Sequence, residues 1–141
     1  METAEKLRAI LKSLEGKKLF PIAFHIDELV PSKSSDPECL DGWDEYEYQI
    51  GTDILKLRTD EEDCAFCLSI YLNGKEEYST GYIGASTWDE DDNEIEFDCS
   101  EYSDYDEVSE ALFELIMQHG GVLDEEGSKG RAAYFAEWGC K

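Results

Sequence analysis

The chain has 141 residues, which fits one domain over 1–141 and leaves little room for a second. Hydrophobic residues make up 41% and aromatics 12%, enough for a core and too many for a disordered tail. Asp and Glu number 35 against 12 Lys and Arg, a formal net charge of −23 that argues against direct contact with nucleic acid or anionic membrane and favours basic partners, cations or high salt.

The opening Met1-Glu2-Thr3-Ala4-Glu5 lacks the basic stretch and apolar run of a secretory signal. No apolar stretch approaches the roughly 20 residues of a membrane helix. The final Trp138-Gly139-Cys140-Lys141 lacks the cysteine position needed for prenylation. Five cysteines, Cys39, Cys64, Cys67, Cys99 and Cys140, form an odd set with no export signal, so free thiols and a reducing, cytoplasmic location are expected.

Leu7, Ile10, Leu11 and Leu14 recur at helical spacing, and Gly16 ends that helix. From Leu19 to Leu29 the pattern alternates, with Phe20, Ile22, Phe24 and Ile26 opposite Ala23, His25 and Asp27, and predicts a strand whose Pro21 marks an edge or an unpaired start. Val30 to Gly42 reads as a loop. Tyr46, Tyr48 and Ile50 alternate with Glu45, Glu47 and Gln49 in a second strand. A turn over Gly51 to Asp53, a short strand around Leu55 and Leu57, and an acidic turn over Asp60 to Asp63 follow.

Phe66, Leu68, Ile70 and Leu72 alternate up to Asn73-Gly74, a pair that tolerates positive φ at both positions and so predicts a hairpin, with a return strand from about Glu76 to Ile83. Ile95, Phe97 and Cys99 predict a further strand over Glu94 to Cys99. Ser103 and Asp106 have the spacing of a capping box, and Val108, Ala111, Leu112, Leu115 and Ile116 form the buried stripe of a second helix that Gly120 stops. Arg131 to Trp138 alternates and leans towards strand. The expected fold is α+β: a mainly antiparallel sheet of about five to seven strands, an N-terminal helix, and a second helix near the C-terminus on the same face.

Charge is unevenly distributed. Met1 to Lys33 carries six bases and five acids, whereas Glu76 to Ser128 carries eighteen acids and no Lys or Arg. The near-neutral start counts against halophilic adaptation, which would spread acids over the whole surface. The densest run, Asp89 to Glu107, holds eleven acids in nineteen residues and is interleaved with aromatics. Trp88, Asp89, Glu90, Asp91, Asp92, Glu94, Glu96, Asp98, Glu101, Tyr102, Asp104 and Tyr105 are therefore the candidate partner-binding residues. Aromatic side chains supply buried contact area and carboxylates pair with Lys and Arg across an interface. The competing reading is a solvated loop and helix start; helix-dipole complementarity explains Asp104, Asp106 and Glu107 but leaves Asp89 to Glu96 unaccounted for.

Other chemistry finds little support. Asp89, Asp91 and Asn93 match the start of an EF-hand loop, but Glu94 stands where glycine is required and Ser100 where the bidentate glutamate belongs. Cys64 and Cys67 form a CxxC inside an alternating strand, where residues three apart point to opposite faces, and no second pair or nearby histidine completes a zinc set. His25 and His119 are far apart in sequence, and nothing joins either to a nucleophile. No phosphate-binding or nucleophile-elbow motif is present. No catalytic residue, metal ligand or cofactor is assigned.

The function expected from these features is that of an acidic, non-enzymatic inhibitor of a basic protein, a nuclease or other nucleic-acid-handling protein. A nuclease-toxin immunity protein and a DNA-mimic anti-restriction or anti-CRISPR protein fit equally. The alternatives are a small cytosolic enzyme or ligand-binding domain with incidental acidity, and an acidic adaptor subunit. At −23, screening relieves self-repulsion more than it weakens the few available ion pairs. The melting temperature is therefore expected to rise from low salt to about physiological ionic strength; a flat or falling curve would mean that acids and bases are paired locally.

Overall fold

Period-two alternation gives each strand one apolar face, and antiparallel pairing lines those faces up. The computed structural model describes residues 2–35, 42–62, 65–84, 86–88, 90–96 and 107–124. Its elements are helix α1 (Glu2–Leu14), strands β1 (Lys33–Ser34), β2 (Gly42–Ile50), β3 (Asp53–Glu62), β4 (Ala65–Leu72), β5 (Lys75–Ser79), β6 (Ile83–Gly84), β7 (Ser86–Trp88) and β8 (Glu94–Glu96), and helix α2 (Glu107–Gln118). The main sheet runs β1-β2-β3-β4-β5, antiparallel throughout, with β6 pairing β4 beyond the end of β5. The α+β expectation holds. Among the described residues no helix is long and apolar enough to cross a membrane.

Register places Tyr46 opposite Leu57, Leu57 opposite Ile70, and Ile70 opposite Tyr78. All four are buried, and they share one core cluster with Leu7, Leu11 and Leu14 of α1 and Leu112, Leu115 and Ile116 of α2. Both helices thus cover one face of the sheet. The Asn73-Gly74 turn forms as expected, with φ of 52° and 86°. At the end of α2, Gly120 takes φ 101° and Gly121 packs so closely that a Cβ there would lie 2.8 Å from Ile116 Cγ2.

The opposite face carries a charged lattice. Arg58 contacts Glu45 at 3.1 Å and Asp60 at 3.1 Å, and its guanidinium lies 4.9 Å from the centre of the Trp43 ring. Lys56 lies 3.5 Å from Glu45 and 5.1 Å from the Tyr71 ring centre. Asp53 ties three elements together. Its Oδ1 accepts from Asn73 Nδ2 at 3.0 Å and from Arg8 of α1 at 3.2 Å. The Asn73 bond, followed by Arg8, holds its carboxyl below the usual range against the opposing effect of desolvation.

Several expectations are corrected. The strand over Leu19 to Leu29 is instead two short 3-10 helices, Pro21–Phe24 and Ile26–Glu28. Ala23, Phe24, Ile26 and Leu29 are all buried, so both supposed faces point inward, and His25 adopts a left-handed φ of 52° that breaks any ladder. His25 accordingly does not share a strand face with Ala23 and Asp27. The short strand at Leu55 and Leu57 extends through the expected acidic turn to Glu62, since Arg58 supplies a counter-charge for Asp60 on the outer face. The return strand stops at Ser79. Thr80 there takes over the edge of β4, its Oγ1 accepting from Leu68 N–H at 3.0 Å, before Ile83 resumes pairing with Phe66. The loop after Val30 contains β1, which borders Asp44 and Glu45. Ser103, Asp106, Cys39, Cys64, Cys99, Cys140 and the segment Arg131 to Trp138 lie outside the described residues.

Tyr78 joins the sheet to the chain leaving α1. Its hydroxyl donates to Lys17 O at 2.9 Å and accepts from Leu19 N–H at 3.2 Å, while its ring lies 5.9 Å from Phe24. Tyr78→Phe leaves both backbone groups without this partner. The expected loss is about 1–3 kcal/mol, the range for an unsatisfied buried polar group, read as a lower urea midpoint at unchanged slope. An unchanged midpoint would mean that water replaces the hydroxyl at no cost.

Candidate acidic interface and the His25 cluster

The acidic run begins in a β-hairpin separate from the main sheet. β7 and β8 pair antiparallel, with Ser86 opposite Glu96, Thr87 opposite Ile95 and Trp88 opposite Glu94. Among the described elements, the hairpin's extensive contacts are between its own two strands. Its tip exposes Glu90, Asp91, Asp92 and Asn93. Asp92 takes φ 60°, a conformation aspartate tolerates better than most residues. The tip acids therefore occur together because a short two-stranded ladder returns the chain through a polar turn.

The structure places six of the twelve candidate residues. Trp88 ends β7, Glu90, Asp91 and Asp92 form the exposed tip, and Glu94 and Glu96 lie in β8. Asp89, Asp98, Glu101, Tyr102, Asp104 and Tyr105 lie outside the described residues. The expected strand from Glu94 to Cys99 is seen as far as Glu96, and its partner β7 was not anticipated because Ser86–Trp88 is too short to show alternation.

A second acidic surface follows on α2. Glu107, Glu110 and Glu114 are spaced three and four residues apart and so share one helix face, turned away from buried Leu112, Leu115 and Ile116. Glu107 and Glu110 sit in the first turn, where negative charge complements the helix dipole. Glu107 and Glu114 are exposed, whereas Glu110 is half-buried.

Glu110 is engaged by His25. The imidazole Nε2 meets Glu110 Oε1 in a short contact, Nδ1 lies 2.5 Å from Glu28 Oε2, and the ring sits 4.7 Å from the centre of Phe113. Burial pushes the imidazole pKa down, but the hydrogen bonds and charges of Glu110 and Glu28 outweigh it, and the net shift is upward. Sequence reasoning missed this cluster. The His25-to-Glu28 spacing of three was visible, but Glu110 is 85 positions away.

Among the described residues no group of three or more His, Cys, Asp or Glu is arranged to hold a metal ion. Cys67 is buried on the sheet face opposite the core, with Sγ 3.7 Å from Ser69 Oγ and 3.4 Å from Ser79 Oγ. A depression of about 360 Å³ is lined by Glu47, Ile54, Lys56, Asn73 and Gly74, and none of these belongs to the His25 cluster. Comparisons with protein-family models, curated protein sequences and solved structures gave no match.

Proposed function

We propose that the protein is an acidic inhibitor that occupies a basic surface on a nucleic-acid-handling protein. The observation that carries this reading is the β7–β8 hairpin, whose tip presents Glu90, Asp91 and Asp92 to solvent within a segment that contains no Lys or Arg. Carboxylates there would take the place of phosphates at Lys and Arg side chains, with charge-assisted hydrogen bonds supplying the contact. The six candidate residues outside the described set, Tyr102 and Tyr105 among them, enter the proposal on their sequence alone. An immunity protein for a nuclease toxin and a DNA mimic that blocks a restriction or CRISPR-type effector share this mechanism.

Arg8, Lys56 and Arg58 contact acids of their own sheet and helix, so these positive charges are committed within the fold. Screened, long-range attraction from the remaining acids would act chiefly on the rate of encounter.

The test is capture from cell extract on the immobilised chain at low salt, elution on a salt gradient, and challenge of the retained protein with duplex DNA. A basic nucleic-acid-binding protein that DNA displaces is the expected result. Neutralising Asp89, Asp91 and Asp92 to Asn should slow its association and flatten the salt dependence. The control, Glu5, Glu15 and Glu76 to Gln, removes the same charge from exposed positions on other elements. A triple at Asp60, Glu61 and Glu62 would not serve as the control, because Asp60 bonds Arg58 inside β3. Equal effects from the hairpin and control variants would reduce the capture to ion exchange and overturn the reading.

A further inference from the structure

We propose that His25 is a proton-operated latch: as an imidazolium it donates at once to Glu28 of its own segment and to Glu110 of α2, and loss of its proton leaves one of those two bonds and so weakens the tie between residues 25–30 and α2. The inference is independent of the acidic hairpin.

The chemistry of the ring carries it. A neutral imidazole has one N–H and one lone pair, so it can satisfy only one of two carboxylates and turns its lone pair on the other. Here both ring nitrogens face carboxylate oxygens from different elements, Glu28 of the second 3-10 helix and Glu110 of α2. Only the cation makes both bonds. Phe113, also on α2, supplies the apolar surface beside the ring. Among the described residues, Glu28 and Glu110 are the charged groups that act on His25.

The surrounding backbone explains why the tie matters. His25 stands before the second 3-10 helix at φ 52° and ψ 29°, and its ring makes no side-chain cap. The segment after it reaches the chain leaving α2 through two backbone bonds, Val30 N–H to Val122 O at 2.9 Å and Asp124 N–H to Glu28 O at 2.8 Å, around an isolated Leu29–Leu123 bridge. Leu29 is buried, but Val30, Val122 and Leu123 are 44%, 59% and 41% exposed, so apolar packing secures only one side of the junction. The His25–Glu110 contact fastens the same segment at a second point, to α2 itself.

The pH window follows from the direction of the shift. A pKa raised above 6.5 means that the folded protein holds the proton more tightly than the unfolded chain. The stabilisation is therefore fully present below the unfolded value and disappears as pH rises through the folded one. Its action requires Glu28 and Glu110 to remain ionised.

The test is NMR titration of both histidine rings in the intact chain, with His119, whose Nδ1 lies 2.9 Å from Leu115 O, as internal reference. The His25 midpoint should lie above 6.5. Glu110→Gln and Glu28→Gln should each lower it. His25→Asn, which tolerates the left-handed backbone, should melt below wild type about one pH unit under the ordinary histidine value, and the gap should shrink about two units above it. Hydrogen-exchange protection at the Val30 and Asp124 amides should fall as wild type passes through the midpoint. A His25 midpoint at or below 6.5, or one that neither Gln variant moves, would overturn the proposal, as would a melting gap independent of pH.

Discussion

The row Tyr46, Leu57, Ile70 and Tyr78, one buried side chain from each of four adjacent strands, is the constraint on which the rest of the structure depends. A slip of one residue at any of these pairings would turn an apolar face to water and charged residues into the core. Burying an aliphatic side chain such as Leu57 or Ile70 is worth about 1.5–3 kcal/mol, whereas an exposed ion pair contributes about 0–1 kcal/mol. The register is thus decided by the core face, and the charged lattice of Glu45, Lys56, Arg58 and Asp60 follows from it. Both helices then have one place to go, because their apolar stripes match the face that the register creates.

That division of labour makes a net charge of −23 tolerable. Three of the positive charges serve the fold: Arg8 reaches Asp53 from α1, and Lys56 and Arg58 lie among the acids of the outer sheet face. Where Lys and Arg run out, acids collect on a hairpin and on the outer side of α2. In the second region His25 supplies counter-charge to Glu110, the half-buried acid of the α2 stripe. The sequence around the hairpin tip holds no Lys or Arg, and the proposal of a basic partner starts from that asymmetry.

The sheet was legible because its strands alternate over enough residues to beat noise. β2 and β4 were read from period two alone, and the turn between β4 and β5 from the two residues Asn73 and Gly74. The segment from Leu19 to Leu29 alternates just as well and is no strand. Its intervening Ala23 is small and apolar, so the pattern also fits short helical turns that bury apolar residues from both supposed faces, and only tertiary packing selects that outcome. Strand ends were legible only where a turn signal marked them: β3 runs on past Asp60 because Arg58, two residues earlier, answers its charge. The acidity of the candidate interface was plain from composition, and its hairpin geometry was half legible, through Ile95 but not through the three residues of β7. The His25 cluster rests on a contact across 85 positions, which no local pattern encodes.

The central claim is that the registered face of the main sheet carries global stability while the acidic hairpin stands apart from it, as the proposed binding role requires. Native-state hydrogen exchange across a denaturant series tests this directly, because it assigns an opening free energy to each amide. The amides of Tyr46 and Leu57 are predicted to exchange only through global unfolding. Those of the β7–β8 hairpin are predicted to exchange through a smaller opening with weaker denaturant dependence. Hairpin amides with the same opening free energy and denaturant dependence as Tyr46 and Leu57 would contradict the account, since the acids would then belong to the cooperative core.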